Sequence, residues 1–327
     1  MTQLTPSLGS PRPATGDDNT AVRRRGDRVF ARLASGSGVL VVSLIAAIAV
    51  FLVVTAIPSL LENKANFLTS REFSVGNDDN MRFGIAGLLW TTTLASLTAM
   101  LIAVPIGVAV ALYITQYAGP RLARPVAYII DLLAAVPSII YGLWGIQVLA
   151  PRLRPLSEWM QDNLGAFPLF GQTSVSLGTV FVASVVLSIM ILPIVTAISR
   201  EVFAQVPTAN VEAALAIGAT RWEMIRTSVL PFGRAGVISA AMLALGRALG
   251  ETIAVLIILS TTSRTTFDPS IFAGGDTFAS RIVRSAAEFD TPLKAGAFLA
   301  AGLVLFLITF AVNATARVIV NRRKEYV

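Results

Sequence analysis

The 327-residue sequence contains no cysteine and no histidine. Disulfides, Cys or His metal sites, Ser-His-Asp triads and Cys-His dyads are therefore excluded. Charge is scarce: Asp, Glu, Lys and Arg are 14% of residues, against roughly 25% in an average soluble domain. Lysine occurs only at Lys64, Lys294 and Lys324. None follows a glycine-rich phosphate-cradling loop, so the chain has no Walker A site and cannot itself hydrolyse ATP. Gly-x-Ser-x-Gly and His-Glu-x-x-His sequences are absent too, which removes the hydrolase and metalloprotease classes they mark. Carboxylate-only metal sites stay open.

What is abundant is apolar: 54% of residues, with a mean hydropathy of +0.71. Six apolar runs match the roughly 20 residues needed to cross a hydrocarbon layer of about 30 Å. They cover Val39–Leu61, Gly84–Tyr113, Pro125–Ala150, Leu177–Ser199, Ala235–Ser260 and Leu293–Ala316. Helices are expected, because backbone in lipid must satisfy its own hydrogen bonds and these runs exceed barrel-strand length. The first run is too long for a cleavable signal, and it follows a polar, Arg-rich tail over residues 1–38 that cannot bury enough apolar surface to fold alone.

The net charge of +7 finds its meaning in where the basic residues fall. With six spans and both ends on one side, the two tails and the second and fourth loops hold sixteen Lys and Arg, the other loops nine, and Arg247 completes the 26. The richer side is cytoplasmic by the positive-inside rule, which puts both termini inside a plasma (inner) membrane. The charge needs no nucleic-acid partner, and no nucleic-acid-binding fold or aromatic-basic array accompanies it. Membrane lipids remain as partners of the basic tail.

The fourth loop, residues 200–234, reads as two short helices. Pro207 and Thr208 open the first, Val211, Ala214, Leu215 and Gly218 share its face, and Gly218 suits a left-handed end. Thr220 to Glu223 forms a capping box for the second, with Trp222, Ile225, Arg226 and Val229 as its stripe and Pro231 as its stop. The pattern Glu212-Ala213-Ala214, Gly218 and Leu230-Pro231 resembles the EAA loop of ABC importer permeases, with Ser228 where the family usually has isoleucine. That resemblance implies an all-α type I permease fold and a coupling helix that docks on a separate nucleotide-binding subunit. ATP and Mg would be bound there and not on this chain. An amphipathic helix on the membrane surface would not require the Glu212 carboxylate, which an anionic surface repels.

Arg247 and Glu251 lie near the middle of the fifth run. An arginine at a span centre costs about 2.5–3.5 kcal/mol on an insertion scale, so both residues are expected to face the bundle interior or a water-filled path. At i, i+4 they would share one helix face, beside the Gly246 and Gly250 small-residue step. Two readings stand: a salt bridge locking helices together, or a pathway site whose planar guanidinium receives oxyanions. In the second, Glu251 could accept a hydrogen bond from a protonated phosphate oxygen, which sulfate lacks.

Leu245-Gly246-Arg247-Ala248-Leu249-Gly250-Glu251-Thr252 is similar to the fifth span of phosphate-specific ABC permeases, in which the charged pair is implicated in translocation. Leu132 to Gly145, Ile191 to Ile194 and Ser199 to Phe203 resemble its PstC-type rather than PstA-type members, and the similarity runs over residues 84–316. It implies a permease core over 84–316 with its coupling loop at 200–234, preceded by the first span at 39–61 and followed by a basic tail at 317–327. The partners it implies are a PstA-like permease, two PstB-like ATPases and a periplasmic or lipid-anchored phosphate-binding protein. Pro137 and Pro193 would break or kink their helices, which leaves Ser138 and Tyr141 either as secondary anion contacts or as packing and capping groups. Phe278, Ile282, Ser285 and Phe289 could share an outer helix face, suited to the membrane interface or to docking. A sulfate or molybdate permease is the rival within this class, and an ion-coupled transporter without an ATPase the rival outside it.

Overall fold

The structure, a computed structural model, describes residues 25–76, 80–171, 177–260 and 268–324. Among the described residues five helices are long and apolar enough to span a membrane, and a sharply bent pair makes up to a sixth. The chain divides into a leading unit ending at Ile48 and a second unit over Ala49–Val327. The leading unit is described from Arg25, where helix α1 (Arg25–Glu62) begins. The polar tail expected over residues 1–38 lies outside the described residues as far as residue 24. Beyond that, helix replaces it: α1 starts ahead of Val39 because main-chain bonding does not need apolar side chains. Ser37, in a Gly-Ser stretch, returns its hydroxyl to the Leu33 carbonyl at 2.8 Å.

In the second unit a small antiparallel ribbon, β1 (Phe73–Ser74) with β2 (Arg82–Phe83), precedes helix α2 (Ala86–Leu112). Helix α6 (Val180–Ala204) is apolar all round and is the most enclosed span, as the pattern dictates for a central helix. Against it α2 presents Ala95, Ala99, Ala103, Gly107 and Ala111, four apart and buried. A Cβ at Gly107 would sit 2.9 Å from Val195 Cγ1, so only glycine permits the approach. Pro193 stays inside α6 without ending it, so of the break or kink expected there the break does not occur.

The third apolar run is two helices, α3 (Pro120–Ala135) and α4 (Ser138–Trp144), bent by 92° with α4 continuing through a π turn into α5 (Ala150–Leu164). Pro137 explains the bend: it forces Val136 into extended backbone (ψ 128) and lacks an N–H. A π turn at Gly145–Leu149 precedes Pro151, and another at Ile225–Val229 precedes Pro231. In each, the wider turn bonds its next amide five residues back, from Ala150 to Gly145 and from Leu230 to Ile225. The ladder is thus already offset where proline would clash with the carbonyl four residues earlier. Pro231 therefore does not stop the second loop helix: α8 (Arg221–Met224) runs through the π turn into α9 (Leu230–Gly250).

The fifth run also breaks, at Glu251 and Thr252, before α10 (Ile253–Ile258). The returning segment 268–275 packs inside: Val180 and Phe181 amides donate to Ala273 and Ile271 carbonyls at 2.9 and 2.7 Å. Helix α11 (Phe278–Arg284) follows, then the long α12 (Pro292–Lys324). Phe278 is fully buried among Ile85, Leu88 and Ala301, and Phe289 stacks on Phe298. Of the face offered for a membrane interface or docking, Phe278 and Ser285 thus turn inward and Ile282 is half-buried, while Phe289 stays exposed.

Candidate functional site

The two helix breaks adjoin. Helix α4 lies on α10 at a glycine: a Cβ on Gly142 would come 2.9 Å from Ala254 Cα. At Gly145 it would meet Val186 and Ile258 side chains at 2.7 and 3.1 Å. Sequence reasoning singled out neither glycine, although their spacing in Tyr141-Gly142-Leu143-Trp144-Gly145 is the available signal for a close helix crossing.

At the first break Tyr141 is buried and its hydroxyl donates to the Leu133 carbonyl at 2.8 Å. It thereby adds a second donor to a carbonyl that Pro137 cannot serve and that accepts the Val136 amide only at 3.4 Å. Ser138 opens α4 and is half-buried. At the second break Glu251 leaves the helix (φ −67, ψ 127) and its Oε1 accepts the Ala254 amide at 3.4 Å, capping α10. The Thr252 hydroxyl donates to Gly250 O at 3.1 Å. The one-face pairing of Arg247 with Glu251 is therefore not formed. Four residues separate them, but the chain turns between them, and the carboxylate is engaged by α10.

Arg247, in the last turn of α9, is exposed on this single chain and makes no ion pair or hydrogen bond among the described residues. Its charge acts on Tyr141, so Arg247 and Tyr141 share one electrostatic neighbourhood. Gly246 and Gly250 have nothing within 4 Å of a would-be Cβ, so this side of α9 is open. A planar cation unpaired among the described residues, a second carboxylate oxygen and the hydroxyls of Ser138, Tyr141 and Thr252 thus border one pair of helix breaks, groups of a kind that can receive an oxyanion.

The loop is a second centre. Helix α7 (Thr208–Ala216) carries Glu212 and Ala213 on exposed backbone, while Ala214 packs with Val211 on Phe203, Val206 and Ile225. Gly218 adopts φ +88, the left-handed end read from sequence. The capping box is formed: Thr220 Oγ1 accepts the Glu223 amide at 3.3 Å, and Glu223 Oε2 accepts the Thr220 amide at 2.8 Å. Ile225 and Val229 bury as expected, and Leu230 is half-buried beside exposed Pro231. Trp222 departs from the expected stripe. With Leu215 and Ile217 it faces outward, Ile217 at 87% exposure, so the loop shows an apolar tip.

The family model described as "Binding-protein-dependent transport system inner membrane component" matches residues 103–325. The chain belongs to that family, as a PstC-type permease. "Phosphate transport system permease protein PstC 2" of Mycobacterium tuberculosis is 54% identical over 300 residues, 90% of this chain and 92% of that one. "Phosphate transport system permease protein PstC" of Mycobacterium leprae is 51% identical over 315 residues, covering 95% and 98%. The namesake from Mesorhizobium japonicum is 36% identical over 318 residues, with 95% of each covered. In fold, the chain resembles the crystal structure of a bacterial ABC transporter involved in alginate import: TM-score 0.53 and 18% identity, over 73% of this chain and 79% of that one. As a PstC-type permease the chain is a multi-pass inner-membrane component whose transport depends on a binding protein.

Proposed function

We propose that the chain is the permease subunit through which an ATP-driven importer moves inorganic phosphate, with Arg247 as the anion's partner in the membrane. The observation that carries this reading is a guanidinium at the junction of two broken spans that spends none of its donors on the described residues of its own chain. Such a fork suits a tetrahedral oxyanion. Glu251 commits Oε1 to α10 and leaves a second oxygen to accept a proton-bearing phosphate oxygen. Ser138 and Tyr141 stand at the same junction as secondary contacts. The relatives named as phosphate transport permeases support phosphate over sulfate or molybdate.

The open Gly246 and Gly250 side of α9 is where a PstA-like permease would close the path. Two PstB-like ATPases, holding ATP and Mg, would seat the α7 region through Glu212, Ala213, Ala214, Gly218, Leu230 and Pro231. A phosphate-binding protein would deliver the anion on the side opposite this loop, and both termini would be cytoplasmic. ATPase stimulation by the binding protein in the reconstituted complex tests the substrate: phosphate-loaded protein should stimulate and sulfate-loaded protein should not. A sulfate preference removes phosphate as the cargo.

A further inference from the structure

An ion cluster that the transport chemistry leaves unused sits at the far end of α10. Asp276, with a side chain 9% exposed, meets two arginines of α11. Its Oδ1 is 3.1 Å from Arg284 Nε and its Oδ2 is 3.6 Å from Arg281 Nη1. Arg281 is anchored away from α10: its Nη2 donates to Phe73 O at 3.0 Å and its guanidinium lies 5.3 Å from the Phe73 ring centre. Arg284 reaches the other way. Its Nη2 donates to the carbonyls of Leu256 and Leu259 at 3.4 and 3.2 Å, the free acceptors at the C-terminal end of α10. A cation suits that end of a helix dipole.

Helix α10 has six residues, a length of about 9 Å that would not hold helical form alone. Its first turn is capped by Glu251, its last by Arg284, and Gly142 and Gly145 fix it sideways. With so few residues between the two caps, a change at the Arg284 end is expected to reach Glu251.

We infer that Arg284, aimed by Asp276, is a positioning residue: it clamps the outer end of α10 and through that half-helix sets the Glu251 carboxylate beside the Arg247 break. The inference rests on the transport reading only in taking that break as the anion's station. The test uses the full complex with its partner subunits and binding protein. Because the chain has no cysteine, Ile253→Cys gives a single thiol at the first residue of α10. Its labelling by a maleimide needs no substrate, so it is read whether the cargo is phosphate or sulfate.

In Arg284→Gln, anion uptake should fall between about tenfold and about a hundredfold, as for other small displacements of a site. ATP hydrolysis should persist and the Ile253→Cys labelling rate should change several-fold. General loss of folded complex would instead lower uptake and hydrolysis together, and that result overturns the inference. Arg284→Lys keeps the charge but has one nitrogen in place of the Nε that meets Asp276 and the Nη2 that serves both carbonyls, and should fall between wild type and Arg284→Gln. The exchange Asp276→Arg with Arg284→Asp restores opposite charges but removes the donor facing α10, and should stay defective. Recovery of uptake in the exchange, or unchanged labelling in Arg284→Lys, overturns the clamp. A wild-type complex that carries sulfate and not phosphate would end the phosphate reading and leave the labelling result to decide this one.

Discussion

Arg247 and Glu251 show how one backbone change rewrites a pair of side chains. On a continuous helix they would neutralise each other; with Gly250 ending α9, the carboxylate bonds an α10 amide and the guanidinium is left with its donors free. A cation so placed in a span is costly without a partner, which makes a visiting anion or the partner permease its natural counter-charge. Arg247→Gln keeps a planar polar group with two N–H donors but is shorter and loses the charge. Uptake in whole cells should be abolished while the ATPase and partner permease still co-purify; normal uptake would remove Arg247 from the pathway. Gly142 carries a separate steric expectation. In Gly142→Leu the new side chain meets the Ala254 backbone, which cannot yield as a flexible side chain would. A cost of about 1–3 kcal/mol from overpacking is expected, seen as a lower unfolding temperature of the detergent-solubilised complex. An unchanged midpoint would mean that α4 and α10 are not in contact.

The element most exposed to partners is the loop from α7 into α9. Its central turn between α7 and α8 is fixed by Gly218 at φ +88 and by the Thr220–Glu223 box, so Glu212 and the Leu215, Ile217 and Trp222 tip are presented on a folded support. Glu212→Lys reverses the charge on an exposed site and should weaken ATPase co-purification while leaving the permease itself folded. Thr220→Ala removes a cap worth about 1 kcal/mol and should loosen the same association less. Equal retention of the ATPase in both variants would move the docking site elsewhere. The loop was legible because caps are local: Thr, Glu and Gly at fixed offsets carry their geometry with them. Trp222 was not, since helical spacing gives a face and not which side of it a partner will cover. Pro231 misled for a related reason. A proline predicts a stop only when the preceding ladder is in α register, and the π turn at Ile225–Val229 has already shifted it.

Across the molecule, six apolar runs were readable from length alone, since bilayer thickness sets it. The bend in the third was signalled by Pro137, whereas that in the fifth had no proline to announce it. Gly250, Glu251 and Thr252 break the helix with bonds to residues two and three away, but the same residue types also fit a continuous helix, so their identity does not announce the stop. The side on which each loop lies rests on basic-residue counts, and the absence of cysteine makes it directly measurable. Ile217 is 87% exposed in the α7 to α8 turn, and Trp159 is 57% exposed on α5. With six crossings these two positions face opposite compartments. In intact cells a membrane-impermeant maleimide should label Trp159→Cys and spare Ile217→Cys; in inverted vesicles the pattern should reverse. The reverse in intact cells, with Ile217→Cys labelled and Trp159→Cys spared, would mean that α3 to α5 does not complete a crossing. The bent pair would then be a re-entrant segment, the chain would have five spans, and its termini would lie on opposite faces.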